Sequence, residues 1–260
     1  MQIGQSMLNY ESANQKFPTS IWQMDLLPFM GLDAVKTGFD NGVIPSNGLP
    51  SFLCPSDQGP QIDRKVTGNF VACVGRWVTP SLSHDGVIDA TQYDYVDVTT
   101  SDVLDGLSNT AFCSEVLRRN GSDSAPFPRL RKIWDANRNY GIDEFDEFVN
   151  YCLSIPADPQ ANGIAGSDLR KGVLFVRGNG DPNVSPFTAV HGNLYNHAVP
   201  PQNPSVDNGA DGLDAAATAT SGHSVVSVVF CDGHVKSVGS DIDIKAWQGF
   251  GDRNGNRSKR

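Results

Sequence analysis

The sequence predicts an α+β fold, an N-terminal helix packed on an antiparallel β-sheet with long loop insertions, and three observations predict it. Ile3, Met7 and Leu8 recur at helical spacing at the start. Short apolar or β-branched runs bounded by Gly, Pro, Asn and Asp recur through the middle. Two β-branched runs meet across Asp232-Gly233 near the end.

Residues 1–15 read as an amphipathic helix whose apolar stripe is interleaved with Gln2, Gln5, Ser6 and Asn9. Trp22, Leu26, Leu27, Pro28 and Phe29 form a short helical or extended apolar piece. Residues 38–60 have the composition of a loop, and the island Ser51-Phe52-Leu53-Cys54 anchors it to the core. Strands are expected at 69–78, 93–98, 111–117 and 172–176, and helix over 133–153, where Ile142, Phe145, Phe148, Val149 and Cys152 recur at helical spacing. Asp143, Glu144, Asp146 and Glu147 are expected on its solvated face, early in the helix where the macrodipole favours them. Residues 225–231 and 234–238 flank Asp232-Gly233 as a two-residue hairpin, because both central residues of a type I′ turn need positive φ. The first run is almost continuously apolar, which predicts a central strand buried on both sides. A short helix over 242–247 and a polar tail follow. No repeat or linker divides the chain, so one domain over residues 1–260, with the hairpin at about 224–239, is expected.

Composition narrows the function classes. The 29 acidic against 20 basic residues leave a net charge of −9, which argues against phosphate-backbone binding and predicts no nucleic-acid partner. No apolar run approaches the roughly 18 residues of a membrane helix. Five cysteines, Cys54, Cys73, Cys113, Cys152 and Cys231, have no C-x-x-C spacing, so zinc and thioredoxin-type chemistry gain no support. Their apolar surroundings predict buried thiols, with a disulfide among them left open.

No nucleophile elbow appears, and Gly172, Gly178 and Gly180 are not followed by a helix, so no reaction is nominated and no enzyme is expected. His84, His191 and His197 lack ligand spacing and read as loop or packing residues. His223 and Asp232 lie at opposite ends of one strand, about 30 Å apart at the usual rise. They read as structural, Asp232 in the turn and His223 bonding a neighbouring loop. Asp207, Asn208, Asp211 and Asp214, with Gly209 and Gly212 among them, make an oxygen-rich loop of the ligand type that suits calcium, the alternative being a solvated turn. The stretch 252–256 is a second such candidate. No other cofactor is expected.

Several blocks, in order, resemble the planctomycete family of prepilin-like proteins, whose C-terminal domain is named for a His, nine residues and Asp-Gly. They are MQIGQSMLNYESANQKFP at 1–18, Leu26-Leu27-Pro28-Phe29, Phe52-Leu53-Cys54-Pro55-Ser56-Asp57, Asn69-Phe70-Val71 and Asp105-Gly106-Leu107-Ser108-Asn109-Thr110. Near the end come Leu194-Tyr195-Asn196-His197-Ala198-Val199-Pro200-Pro201 and the stretch from His223 through Asp232-Gly233. The resemblance marks His197, Pro200, Pro201, His223, Asp232 and Gly233 as structural signature residues. Two departures stand out. Eight residues, not nine, separate His223 from Asp232, and Ser224-Val225-Val226 stands where the family has Pro-Gly-Gly. The shortening is expected to be absorbed before Val225, since a slip inside a strand would flip its faces.

The resemblance implies the head of a type IV pilin- or pseudopilin-like cell-surface protein. It faces the extracellular or periplasmic side, is membrane-anchored only through an N-terminal helix absent here, and partners other pilin-like subunits or secretion-system components. The cleavage site and apolar helix of a prepilin are absent, so either a truncated ectodomain or a start assigned too late is expected, and truncation is favoured because the family pattern begins in mid-helix. Calcium in C-terminal loops of secretion pilins adds to the candidate at 207–214 by analogy. The rival is a surface-anchored binder of solutes or glycans, with Trp22, Trp77, Trp134 and Tyr195 as its tools.

Overall fold

A computed structural model describes residues 2–19, 21–41, 43, 49–57, 68–76, 85–88, 96–118, 128–167, 194–208 and 215–255. The helices are α1 (Gln2–Asn14), α2 (Trp22–Leu26), α3 (Asp33–Asp40), α4 (Pro128–Arg131), α5 (Phe145–Ser154) and α6 (Ile244–Gly251). The strands are β1 (Phe70–Cys73), β2 (Ala111–Glu115), β3 (Ile133–Asp135), β4 (Gly166–Ser167), β5 (Leu194–Tyr195), β6 (Ser205–Asp207), β7 (Ala215–Ala216), β8 (Val225–Phe230) and β9 (Val235–Gly239). The strand expected at 172–176 and the start of that at 93–98 lie outside the described residues, and 96–98 is not strand.

The α+β class holds. One sheet runs β5-β1-β2-β8-β9, antiparallel except where β1 meets β5 in parallel. In β8, Val226, Val228 and Phe230 are buried on one face; on the other, Val229 is buried while Val225 is exposed. Double-sided burial is therefore limited to the hairpin end, and β8 stands one strand in from the edge formed by β9.

Two helices cause that gradient. In α1, Gly4 approaches so closely that an added Cβ would meet the Gly233 carbonyl and Val229 Cγ1, each at 3.0 Å. Ile3 and Met7 are buried beside it, and Tyr10 packs edge-on to Phe29 at 5.5 Å. From α6, Phe250 meets Phe230 edge-on at 5.1 Å. Because Val229 and Phe230 point to opposite faces, α1 and α6 cover opposite sides of the hairpin end. The start of α6 is set by Asp243, whose carboxylate accepts from the Lys245 and Ala246 amides. Phe52 is fully buried against Trp22 at 5.7 Å, which is how the 51–54 island ties its loop to the core.

A second sheet, β4-β3-β6-β7, was not legible in the sequence. Ile133 and Trp134, expected at the start of a helix, instead form β3 and pair in parallel with β6, some seventy residues later. Only α5 keeps the helical reading, and it packs Phe148, Val149 and Cys152 with Val206, Ala216, Ala198 and Val199 in a second apolar cluster. The helix α3 also extends into the stretch read as loop from residue 38. Among the described residues no helix is long and apolar enough to cross a membrane.

Candidate functional site

The segment from Leu194 to Pro201 is buried throughout. Leu194 and Tyr195 belong to the main core, while Ala198 and Val199 belong to the second, so this segment joins the two. His197 sits between them, fully buried. Its Nδ1 donates to the Trp247 carbonyl at 2.7 Å, which leaves Nε2 to accept from the Tyr195 hydroxyl at 2.8 Å. The ring stacks on Trp247 with centroids 3.9 Å apart, and its backbone amide donates to the Gly75 carbonyl. Burial lowers the imidazole pKa to about 3, so the ring is neutral, while burial pushes the Tyr195 hydroxyl well up. His197 thus locks β1, β5 and α6 together and is sealed from solvent. Pro200 and Pro201 are buried in the turn that follows.

That turn leads to Gln202, a non-glycine residue at φ +64°, a conformation that costs energy and is retained where the surroundings enforce it. Its side chain holds the loop ahead of β8: the amide NH2 donates to the Ser221 and His223 carbonyls, and the amide oxygen accepts from the Ser221 amide. His223 is exposed there, at the far end of β8 from Asp232, and its Nε2 lies 4.0 Å from the Cys54 sulfur. The loop carrying Cys54 is itself anchored. The Cys54 amide donates to Asn69 Oδ1, and Asn69 Nδ2 donates to Asp57 and to the Val116 carbonyl. Asp57, buried, contacts Arg131 at 2.7 Å and Arg118 at 3.3 Å. Burial pushes its carboxyl up, but the hydrogen bonds from Arg131, Arg118 and Asn69 outweigh that and hold it below its ordinary value.

The fold therefore brings Cys54, Gln202 and His223, from three separate blocks, together at one surface. Cys54 and His223 form a thiol–imidazole dyad at the outer limit of a sulfur hydrogen bond. The sequence placed His223 against a neighbouring loop but did not single out Cys54 as its contact. All five cysteines are free thiols; Cys73, Cys113, Cys152 and Cys231 are buried, and burial raises the pKa of each, to about 12 for Cys73.

The turn at Asp232-Gly233 differs from the expected two-residue type I′ form. The Phe230 amide donates to the His234 carbonyl and the Gly233 amide to the Phe230 carbonyl, which closes a three-residue loop over Cys231, Asp232 and Gly233. Only Gly233 has positive φ, +84°. The Cys231 and Asp232 amides donate instead to the Thr110 and Leu107 carbonyls, and these bonds draw the turn one residue earlier. Asp232 Oδ1 accepts from the His234 amide and Nδ1, and the His234 ring stacks on Phe230 at 4.4 Å.

Of the calcium candidates, Asp207 ends β6 beside Ala215 of β7, while Asp211 and Asp214 lie outside the described residues. The Asn208 amide is committed, accepting from the Tyr140 amide and donating to the Tyr140 carbonyl. Asp252 is buried, 3.9 Å from Arg76, and accepts from the Asn254 amide. Arg76 also pairs with Asp85, whose pKa burial nonetheless raises. Among the described residues no group of three or more His, Cys, Asp or Glu could hold a metal ion. His84, His191 and Trp77 lie outside the described residues. Trp22, Trp134 and Tyr195 are at most 3% exposed, so they serve the core and not a binding face.

A groove of about 350 Å³ opens between α4, β3 and the loop at 157–161. Arg129, Lys132, Asp158, Gln160 and the edge of Trp134 line it. Lys132 Nζ donates to Gln160 Oε1 and lies 5.9 Å over the Trp134 ring. Arg129 is half-buried; one NH2 donates to the Ile155 carbonyl, while its Nε is sealed and has no acceptor among the described residues. Burial lowers its pKa.

Helices on both faces of the hairpin end, a second small sheet and a sealed histidine between two cores define an α+β protein. The family described as "Protein of unknown function (DUF1559)", SBP_bac_10, matches residues 1–245, and the chain belongs to it. Comparison with curated proteins and with solved structures finds no match.

Proposed function

We propose that this chain is the structural, interaction-making head of a pilin- or pseudopilin-like cell-surface protein, facing outside the cytoplasm and assembling with like subunits through an apolar helix ahead of α1. The observation that carries this reading is the docking of α1. Gly4 lies against Gly233, Leu8 covers the hairpin loop, and Ile3 and Met7 are buried, while Gln2, Gln5 and Asn9 stay exposed. Such a helix is firmly held by its own head and presents a polar outer side. Ile3, Met7 and Leu8 are used up in that docking, so fibre contacts require a longer apolar helix. The net charge of −9 adds repulsion between heads, screened over a Debye length of about 8 Å at physiological salt. Light scattering of residues 1–260 at moderate salt should report single chains, and the same head with an apolar helix of about 20 residues joined ahead of it should go to membranes or higher assemblies. Filaments formed by residues 1–260 alone would sink the reading.

The groove beside α4 favours a second reading, a surface-anchored binder of solutes or glycans. Its size falls at the small end of ligand sites. Trp22, Trp134 and Tyr195, three of the aromatic residues assigned to that role, are core, so binding would rest on the polar side chains of the groove instead.

A further inference from the structure

Cys54 and His223 stand 169 positions apart, yet the fold pins both backbones where the side chains meet. The Cys54 amide donates to Asn69 Oδ1 at 2.8 Å, and its carbonyl accepts from the Asp57 amide at 3.0 Å. The His223 carbonyl accepts from the Gln202 side chain, and its amide donates to Ser221 Oγ at 3.2 Å. Gly222, between those two anchors, lies so close to the 54–57 turn that an added Cβ would sit 4.0 Å from the Ser56 carbonyl oxygen. The thiol and the imidazole thus face each other from two anchored loops. His223 is exposed and Cys54 half-buried, so solvent reaches the pair.

We infer that Cys54 and His223 form a two-ligand site for a soft monovalent metal ion of the Cu(I) type, held between Sγ and Nε2. Their separation of 4.0 Å is long for a hydrogen bond and right for a bridge. A metal bonded about 2.3 Å from sulfur and about 2.0 Å from nitrogen, the lengths usual for zinc, spans about 3.5 Å at the tetrahedral angle and about 4.3 Å in a straight line. The donors narrow the choice further. Thiolate selects Cu(I), zinc and iron–sulfur centres, and imidazole suits zinc, copper, iron and nickel, so copper and zinc satisfy both. Zinc asks for four ligands, or three and a water, whereas among the described residues no group of three or more His, Cys, Asp or Glu could hold a metal ion. Cu(I) accepts two donors in an open, near-linear arrangement and is the ion this pair suits. Binding replaces the S–H bond by an S–Cu bond and releases the proton to solvent, with no change of oxidation state. The inference is independent of the assembly reading, since it makes no use of α1.

The test uses the whole chain without oxygen, with Cu(I) offered as its ferrozine complex and its withdrawal read from the loss of that complex's visible absorbance. Zn(II) is offered in parallel as its complex with a chromophoric chelator. Wild type is expected to withdraw one equivalent of Cu(I) and Cys54→Ser none. His223→Gln is expected to bind it at least about tenfold more weakly, a loss that removing a mere outer-sphere partner of a metal ligand already reaches. The four buried thiols are present in every variant, so Cys54→Ser reports on Cys54 alone. Wild type alkylated at Cys54 with iodoacetamide should behave like Cys54→Ser, a check that changes no residue. Equal Cu(I) uptake by wild type and Cys54→Ser, or no uptake by wild type, would overturn the site. Uptake that depends on Cys54 but is unchanged in His223→Gln would reduce it to a surface thiol and overturn the pair. Withdrawal of Zn(II) that depends on Cys54 and matches that of Cu(I) would overturn the choice of metal.

Discussion

Replacing Asp57 by Ala removes the carboxylate that Arg118 and Arg131 both contact, at side-chain exposures of 6% and 5%. Taking one partner from a buried ion pair costs about 3–5 kcal/mol, because the remaining charge is left without compensation. The same change orphans the Arg118 amide and one Asn69 donor, each worth roughly 1 kcal/mol or more when buried. These terms share one site and do not add fully, so the expected loss is at least about 3 kcal/mol, out of a total of about 5–15. For a chain of this size that is a fall in Tm of roughly 6–12 °C. Urea unfolding of wild type, Asp57→Ala and Asp57→Asn measures it, with the Asn variant, which keeps the shape but not the charge, in between. The pH dependence gives a second check. The Asp57 carboxyl is held below its ordinary 3.8 in the folded chain. Its stabilisation is therefore present above that value and is lost only as pH falls through the lower folded value. Wild type should lose stability in that acid range faster than Asp57→Asn does. A loss under about 1 kcal/mol for Asp57→Ala, or identical acid limbs, would refute the claim that this network holds the 52–57 loop.

Gly233→Val meets two obstacles, the positive φ and the Leu8 Cδ1 atom 2.7 Å from the new Cβ, so it should destabilise by roughly 2 kcal/mol or more. An unchanged urea midpoint would show that the α1 contact yields freely. Iodoacetamide on the folded chain should alkylate Cys54 ahead of the four buried thiols, and His223→Gln should slow it; peptide mapping that finds equal labelling, or an equal rate, removes the dyad. The His197 ring should show no NMR titration between pH 8 and pH 4, given a folded pKa of about 3 against an ordinary 6.5. Below pH 6.5 the unfolded chain takes up a proton that the folded chain refuses, so His197 contributes stability above 6.5 that is lost as pH falls toward 3. A titration midpoint near 6.5 would mean that the ring is not sealed.

Part of the candidate site was legible from local chemistry. His223 was expected against a neighbouring loop because it stands just outside a strand, and the 51–54 island was expected in the core because Phe52 and Leu53 are apolar in a polar stretch. The thiol opposite His223 was not, since Cys54 and His223 are 169 positions apart and no periodicity links them. The groove was equally invisible. Arg129 looks in sequence like any surface cation, and only the packing of 155–161 against α4 half-buries it.

The elements that the sequence by itself determined are those whose information is contiguous: α1, α5 and α6 from helical spacing, and the β8–β9 hairpin from β-branched runs around Asp232-Gly233. Each is specified by residues a few positions apart, which backbone sterics and side-chain periodicity read directly. Tertiary structure alone decided the second sheet, because the parallel pairing of β3 with β6 joins residues that no local signal connects and overrides the helical reading of 133–135. It also decided the form of the hairpin turn. Asp-Gly suits both a two-residue loop and a three-residue loop with Gly in the left-handed region, and the Leu107 and Thr110 carbonyls, by capturing the Asp232 and Cys231 amides, select the second.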